Sequence, residues 1–226
     1  MTERATLLAA ALNSPSDNNA RLVLSDWLEE HGEVAFGRFL RAGVVASKYR
    51  GERVVEDRAF YDALGVLAEV AESRLPGRWV SELGLGSSPS VLDDWLWDTD
   101  GHRVTVRQGE TTGLYSRGLL TGLRVGLVEW FSISRVALGR WPLEWVEMRD
   151  APGLRVTIRA PDEGGGGQWT LGVEFRSQDR RSRARGKTHK AAVEYPTRGD
   201  LIEGVPVAVV EMIVDVRRQS LSGGGA

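Results

Sequence analysis

The chain is predicted to fold as an α+β protein: an N-terminal helical bundle, then a strand–helix–strand unit, then a mainly antiparallel sheet. Three observations predict this. Apolar residues recur at i, i+3 and i+4 through the first third, as in Phe60, Ala63, Leu64, Leu67, Ala71 and Leu75, the spacing that lays a stripe along one helix face. The glycine- and serine-rich stretch 83–90 then interrupts the periodicity, as a linker does. Beyond it apolar residues alternate with polar ones, as in Trp169 to Arg176, which is the period of a strand. With 226 residues the chain suits one large domain or two small ones. The division read from it is a helical domain at 1–82, a linker at 83–90, a β-rich region at 91–221 with its strand–helix–strand unit at 117–150, and a frayed tail at 222–226.

Taken in order, Glu3 to Leu12 is an Ala- and Leu-rich helix ended by Asn13-Ser14-Pro15, because proline disfavours the helical conformation in the residue before it. The next helix is the most informative stretch of the chain. Asp17 or Asn18 caps its start and Gly32 supplies a left-handed stop. At 100° per residue Ala20, Val23, Leu24, Trp27, Leu28 and His31 share one apolar arc, with Leu22 and Asp26 opposite, so both faces are expected to be covered. A third helix follows to about Lys48, with Phe36, Phe39, Leu40, Val44 and Ser47 facing the first two, and a fourth runs from Val54 to Leu75 until Pro76-Gly77 stops it. Val91 to Trp97 and Arg103 to Arg107 flank Asp98-Thr99-Asp100-Gly101 as a hairpin around an Asp-Gly turn. Leu119 to Leu127 is a strand, Glu129 to Leu138 a helix and Leu143 to Met148 a strand. Four further strands are expected at Leu154 to Arg159, Gln168 to Arg176, Lys190 to Tyr195 and Val205 to Val216.

The stretch from Arg21-Leu22-Val23-Leu24-Ser25-Asp26-Trp27-Leu28-Glu29-Glu30-His31-Gly32-Glu33 to Gly37-Arg38-Phe39-Leu40-Arg41 resembles the bacterial repeat-companion domain, whose pattern there is roughly "RLVYADWLEERGD…GEFIRLQ". Arg117-Gly118-Leu119-Leu120 followed by Val125 resembles that family's "RGF" strand, and Trp141 to Met148 resembles the leucine-rich-type unit that commonly follows it. The resemblance therefore implies that 117–150 is one unit of leucine-rich-repeat character, and that the chain acts as a scaffold or interaction module without chemistry of its own. Asp26, Trp27, Leu28 and Gly32 are its structural motif. The chain departs from the family in lacking further repeats. A solenoid needs about three stacked units to bury its face, so this is not a free-standing array.

Composition is that of an ordinary soluble globule, 42% hydrophobic and 27% charged. There is no cysteine, which excludes disulfides and thiolate metal sites. Met1 to Leu8 lacks the basic-then-apolar order of a secretory signal and no apolar run approaches spanning length, so a cytoplasmic location and no membrane partner are expected. The net charge of −2 is unevenly spread: residues 1–100 hold 10 Lys+Arg against 17 Asp+Glu, and residues 101–226 hold 19 against 14. Two surfaces of opposite sign invite salt-sensitive, head-to-tail association.

No catalytic, metal or cofactor motif survives inspection. Asp26 reads as an anchor paired with Arg38 or Arg41; a partner-binding or catalytic acid is the alternative, and no second acid or base supports it. Trp27 reads as core, or as an interaction anchor beside acids. Gly186-Lys187-Thr188 lacks the earlier glycine of a phosphate-binding loop, and Gly84-Leu85-Gly86 lacks the third glycine of a dinucleotide fingerprint. Asp93, Asp94, Asp98 and Asp100 do not follow calcium-loop spacing, and His31, His102 and His189 are too scattered for a zinc site or triad. The expectation is a non-enzymatic adaptor that contacts a protein partner through Trp27, Glu29 and Glu30 or through an exposed strand edge. The alternative is nucleic-acid binding through the basic loop 176–190, with Arg180, Arg181, Arg183, Arg185, Lys187 and Lys190 on phosphates; the pI near 6.0 argues against a dedicated binder of that kind.

Overall fold

A computed structural model describes residues 2–48, 58–84, 96–100, 103–108, 111–161, 167–176 and 188–222. Among them are seven helices and eight strands, a mixed α+β composition. The chain forms two compact units: the first is Met1–Thr121 with Arg140–Pro142, the second Gly122–Gly139 with Leu143–Ala226. Of the expected linker 83–90, only Leu83 and Gly84 are described, and the units part between Thr121 and Gly122 instead. The reason is that the first three strands pack with the helices of the first unit.

That unit begins with α1 (Glu3–Asn13), α2 (Asn18–Glu30) and α3 (Val34–Ser47). The Asp17 carboxylate caps α2 by accepting from the Asn19 N–H at 2.8 Å, and Gly32 ends it at φ +88°, as read from the sequence. The buried arc of α2 is turned from the expected one. Arg21, Leu24, Ser25 and Leu28 are buried, Val23 is 52% exposed, and the Asp26 side chain is 58% exposed. Helix α3 sets this rotation by approaching at Gly37, where a Cβ would stand 2.5 Å from Glu29 Cγ and 2.8 Å from the Ser25 carbonyl oxygen. The Ser25 hydroxyl donates to the Gly37 carbonyl at 2.8 Å. The forked pairs Arg4–Glu33 and Arg38–Glu69 fasten α1 to the turn after α2, and α3 to the next helix.

That next helix, α4 (Arg58–Glu72), does not continue to Leu75. Arg74 takes a left-handed φ of 63°, and Pro76 then lies in the first turn of a new helix, α5 (Leu75–Ser81). Proline stops a helix it follows, but its fixed φ suits the start of one. Strands β1 (Leu96–Asp100), β2 (Arg103–Gln108) and β3 (Thr111–Ser116) form an antiparallel meander. Asp100 pairs with Arg103, so the strand runs through Asp98 and Asp100 rather than turning there. The turn to β4 (Leu119–Val125) uses Arg117 at φ 52° and Gly118 at φ 75°, two successive left-handed residues as a tight hairpin requires. The core of this unit is an aromatic cluster in which Phe39, Trp79 and Trp141 surround Tyr115, with ring centroids 5.5–6.0 Å apart. The buried Tyr115 hydroxyl donates to the Pro76 carbonyl at 2.8 Å.

In the second unit β4 leads through α6 (Leu127–Arg140) to β5 (Trp145–Met148), which lies parallel to β4. A strand–helix–strand crossover thus forms where the sequence placed one. Strands β6 (Leu154–Arg159), β7 (Trp169–Arg176) and β8 (Thr188–Tyr195) add antiparallel, in the order β4-β5-β6-β7-β8. The expected strand Val205 to Val216 is instead the middle of a long helix, α7 (Arg198–Ser222), which packs on β7 and β8. Its buried residues Leu201, Val205, Ala208, Val209, Met212 and Val216 recur at helical spacing; the density of valine hid that period behind a β-branched composition. One sheet face is apolar, with Leu123, Val146, Val156 and Val173 in adjacent register and fully buried.

Candidate interaction surface

Because side chains alternate across a strand, the buried row fixes what its neighbours carry on the opposite, open face of the second unit. One row runs Arg124, Glu147, Arg155, Glu174, Lys190, each in register with the next across β4 to β8. The charges alternate in sign across all five strands. Glu147 receives Arg124 at 3.8 Å and Arg155 at 3.6 Å, and Lys190 Nζ lies 2.6 Å from Glu174 Oε1. These groups are largely solvated, so each pair is worth about 0.2–1 kcal/mol. Their main effect is to hold the side chains in a fixed pattern.

The adjoining row is Gly122, Trp145, Thr157, Gly172, Ala192. It is low except at Trp145, whose indole lies where a Cβ on Gly122 would be, 2.3 Å from that position. Arg155 stacks its guanidinium over the same ring at 5.2 Å. Beyond this floor stand Arg159, Thr170 and Glu194. The open face is therefore a shallow strip of small side chains between two polar rows, with one aromatic at its β4–β5 end.

The residues singled out from the sequence fall elsewhere. Glu29 and Asp26 are both held by Arg41 on α3: its guanidinium lies 3.0 Å from Glu29 Oε1 and hydrogen-bonds Asp26. These bonds raise the Arg41 pKa above its ordinary value. The pairing with Arg41 is the anchor anticipated for Asp26. Trp27 is half-buried and stacks on His31, ring centroids 3.9 Å apart, while Leu28 is fully buried and Glu30 is exposed. Trp27, Glu29 and Glu30 thus do not form one free patch. Arg180, Arg181, Arg183, Arg185 and Lys187 lie outside the described residues; Arg176 and Lys190, at the two ends of that loop, belong to the open face. Asp93, Asp94 and His102 also lie outside the described residues.

No protein-family model, curated protein or solved structure matches this chain. Among the described residues no group of three or more His, Cys, Asp or Glu side chains is arranged to hold a metal ion, and no helix is long and apolar enough to cross a membrane. The charged row was not visible in the sequence, because its five members lie between 8 and 23 residues apart and only the lateral register assembles them. Alternation within each strand was the signal that gave their common face.

Proposed function

We propose that the chain is a non-enzymatic protein-binding adaptor and that the open face of β4 to β8 is its contact surface. The observation that carries this reading is the alternating row Arg124, Glu147, Arg155, Glu174, Lys190 beside a floor of small residues. Alternating charge suits a protein surface carrying the complementary alternation, whereas Glu147, Glu174 and Glu194 would repel a phosphate backbone. The acidic α2 surface is the weaker choice, since Glu29 is already held by Arg41.

Kinship with the repeat-companion domain belongs to the same proposal. Its support is that the two stretches carrying the resemblance pack together: Gly118 lies against Leu40, and Arg117 donates to the Ser16 carbonyl and Asn18 Oδ1 at the start of α2. The parallel β4–α6–β5 crossover supports the leucine-rich-type reading of 117–150. Nucleic-acid binding is the second reading, favoured by the basic residues Arg124, Arg155, Arg159, Arg176 and Lys190 on the open face.

The test is capture from a lysate of the source organism, with and without nuclease, using wild type and Thr157→Lys. The variant puts a long charged side chain on the low floor while keeping every residue of the charged row. A small nuclease-resistant set of proteins, lost with Thr157→Lys at unchanged thermal stability, is the expected result. Capture that vanishes with nuclease would assign the face to nucleic acid, and equal capture by both proteins would move the surface elsewhere.

A further inference from the structure

Strand β8 ends the sheet order among the described residues. Its inner edge pairs with β7 along its whole length, and among the described residues no strand pairs with its outer edge, whose N–H and C=O groups suit another strand. Edge lysines commonly block such pairing, but Lys190 is drawn inward to Glu174 at 2.6 Å and leaves the edge open. The exposed residues of β8 then suit a particular occupant. Lys190 and Glu194 share the open face and flank Ala192 symmetrically.

We propose that two copies of this chain join through β8, antiparallel about a two-fold axis at Ala192. In that register Lys190 of each copy faces Glu194 of the partner subunit, and Ala191 faces the partner's Val193. An axis normal to the sheet keeps each face on its own side, so the register can slip only by even steps. A slip of two residues sets Lys190 against Ala192 or Pro196, and a slip of four sets Lys190 or Glu194 against its own copy. Pairing about Ala192 alone gives Glu194 a cation and sets Lys190 between two carboxylates, Glu174 of its own copy and Glu194 of the partner subunit. It also extends the alternating row across the axis: after Lys190 come Glu194, Thr170 and Arg159 of the partner subunit. The inference goes beyond the adaptor reading and does not depend on it.

The chain has no cysteine, so single cysteines report the register directly. Directly opposed residues of an antiparallel pair have Cα atoms about 4.5–5.5 Å apart, within disulfide reach. Ala192→Cys should therefore cross-link to a covalent dimer under mild oxidation. Thr188→Cys, eight positions from its own copy and so about 27 Å away, should not. In sedimentation the wild type should show a concentration-dependent dimer weakened by salt. Glu194→Lys and Lys190→Glu, each confirmed folded by thermal unfolding, should each be monomeric, and mixing them should restore dimers because every pair is then complementary. A wild type that stays monomeric, equal cross-linking of the two cysteine variants, or a dimer unaffected by Glu194→Lys would each overturn the proposal.

Discussion

Gly118 presses its backbone against Leu40 so closely that a Cβ on the glycine would stand 2.3 Å from Leu40 Cα. The approach is mutual, since a Cβ on Gly43 would stand 2.4 Å from the Gly118 nitrogen. Gly118 also has φ 75°. Gly118→Ala therefore combines backbone strain with overpacking and should cost about 2–4 kcal/mol. Gly65, in the interior of α4 with nothing within 4 Å of its Cβ position, makes the converse case: Gly65→Ala should stabilise by about 0.5–1 kcal/mol. Urea midpoints of the two variants check both signs, and an unchanged midpoint for Gly118→Ala would refute the contact.

Neighbouring residues on α2 should respond very differently to truncation. Ser25 is fully buried and its hydroxyl donates to the Gly37 carbonyl, so Ser25→Ala should cost about 1–2 kcal/mol by removing a buried hydrogen bond between the two helices. Asp26 sits in solvent, where its pair with Arg41 is screened, and Asp26→Ala should cost less than about 1 kcal/mol. The Asp26 effect should shrink in high salt while the Ser25 effect persists. Equal losses at both ionic strengths would mean that Asp26 is more than a surface anchor.

The same helix marks how far sequence reading reaches. Asp17 and Gly32 were legible because capping and left-handed stops are local chemistry, and most strands were legible from alternation. The burial of Arg21 and Ser25 was not, because it depends on where α3 approaches, and nothing local to α2 specifies Gly37 as the contact. Helix α7 was misread despite two signals: the spacing of Leu201, Val205, Ala208, Val209, Met212 and Val216, and Thr197 three residues before Asp200. Its valines, several of them exposed on the helix surface, imitate a strand. The open face of the second unit was beyond reach for a different reason, since a lateral row exists only once the strand register is known.

Stability at high pH should carry the signature of Tyr115. Burial raises its phenol pKa well above the ordinary value of 10.0, so the native state resists an ionisation that the unfolded chain undergoes freely. The contribution is fully present below pH 10 and is lost as pH rises from there through the folded-state value. Comparison with Tyr115→Phe isolates the tyrosine. That variant should lose about 1–2 kcal/mol at neutral pH, through the lost hydrogen bond to the Pro76 carbonyl, and should fall less steeply than wild type above pH 10. Parallel curves for the two proteins would rule out the phenol as the cause.

Helix α7 contains its own destabilising residue. Pro206 lies inside it, where a proline offers no N–H to the carbonyl of the residue four positions earlier, Ile202, and crowds that turn. The helix persists because its buried face outweighs this defect and because Thr197 caps it: the Asp200 N–H donates to Thr197 Oγ1 at 3.1 Å, and the Thr197 hydroxyl donates to Asp200 Oδ2 at 2.7 Å. Pro206→Ala restores the missing donor and should stabilise the protein by about 1–3 kcal/mol, whereas Thr197→Ala should cost about 1 kcal/mol. Thermal unfolding followed by circular dichroism measures both, with helical signal rising for the first and falling for the second. A strand at Val205 to Val216 would give neither change in helical signal, so this pair of variants decides between the two readings of the C-terminal segment.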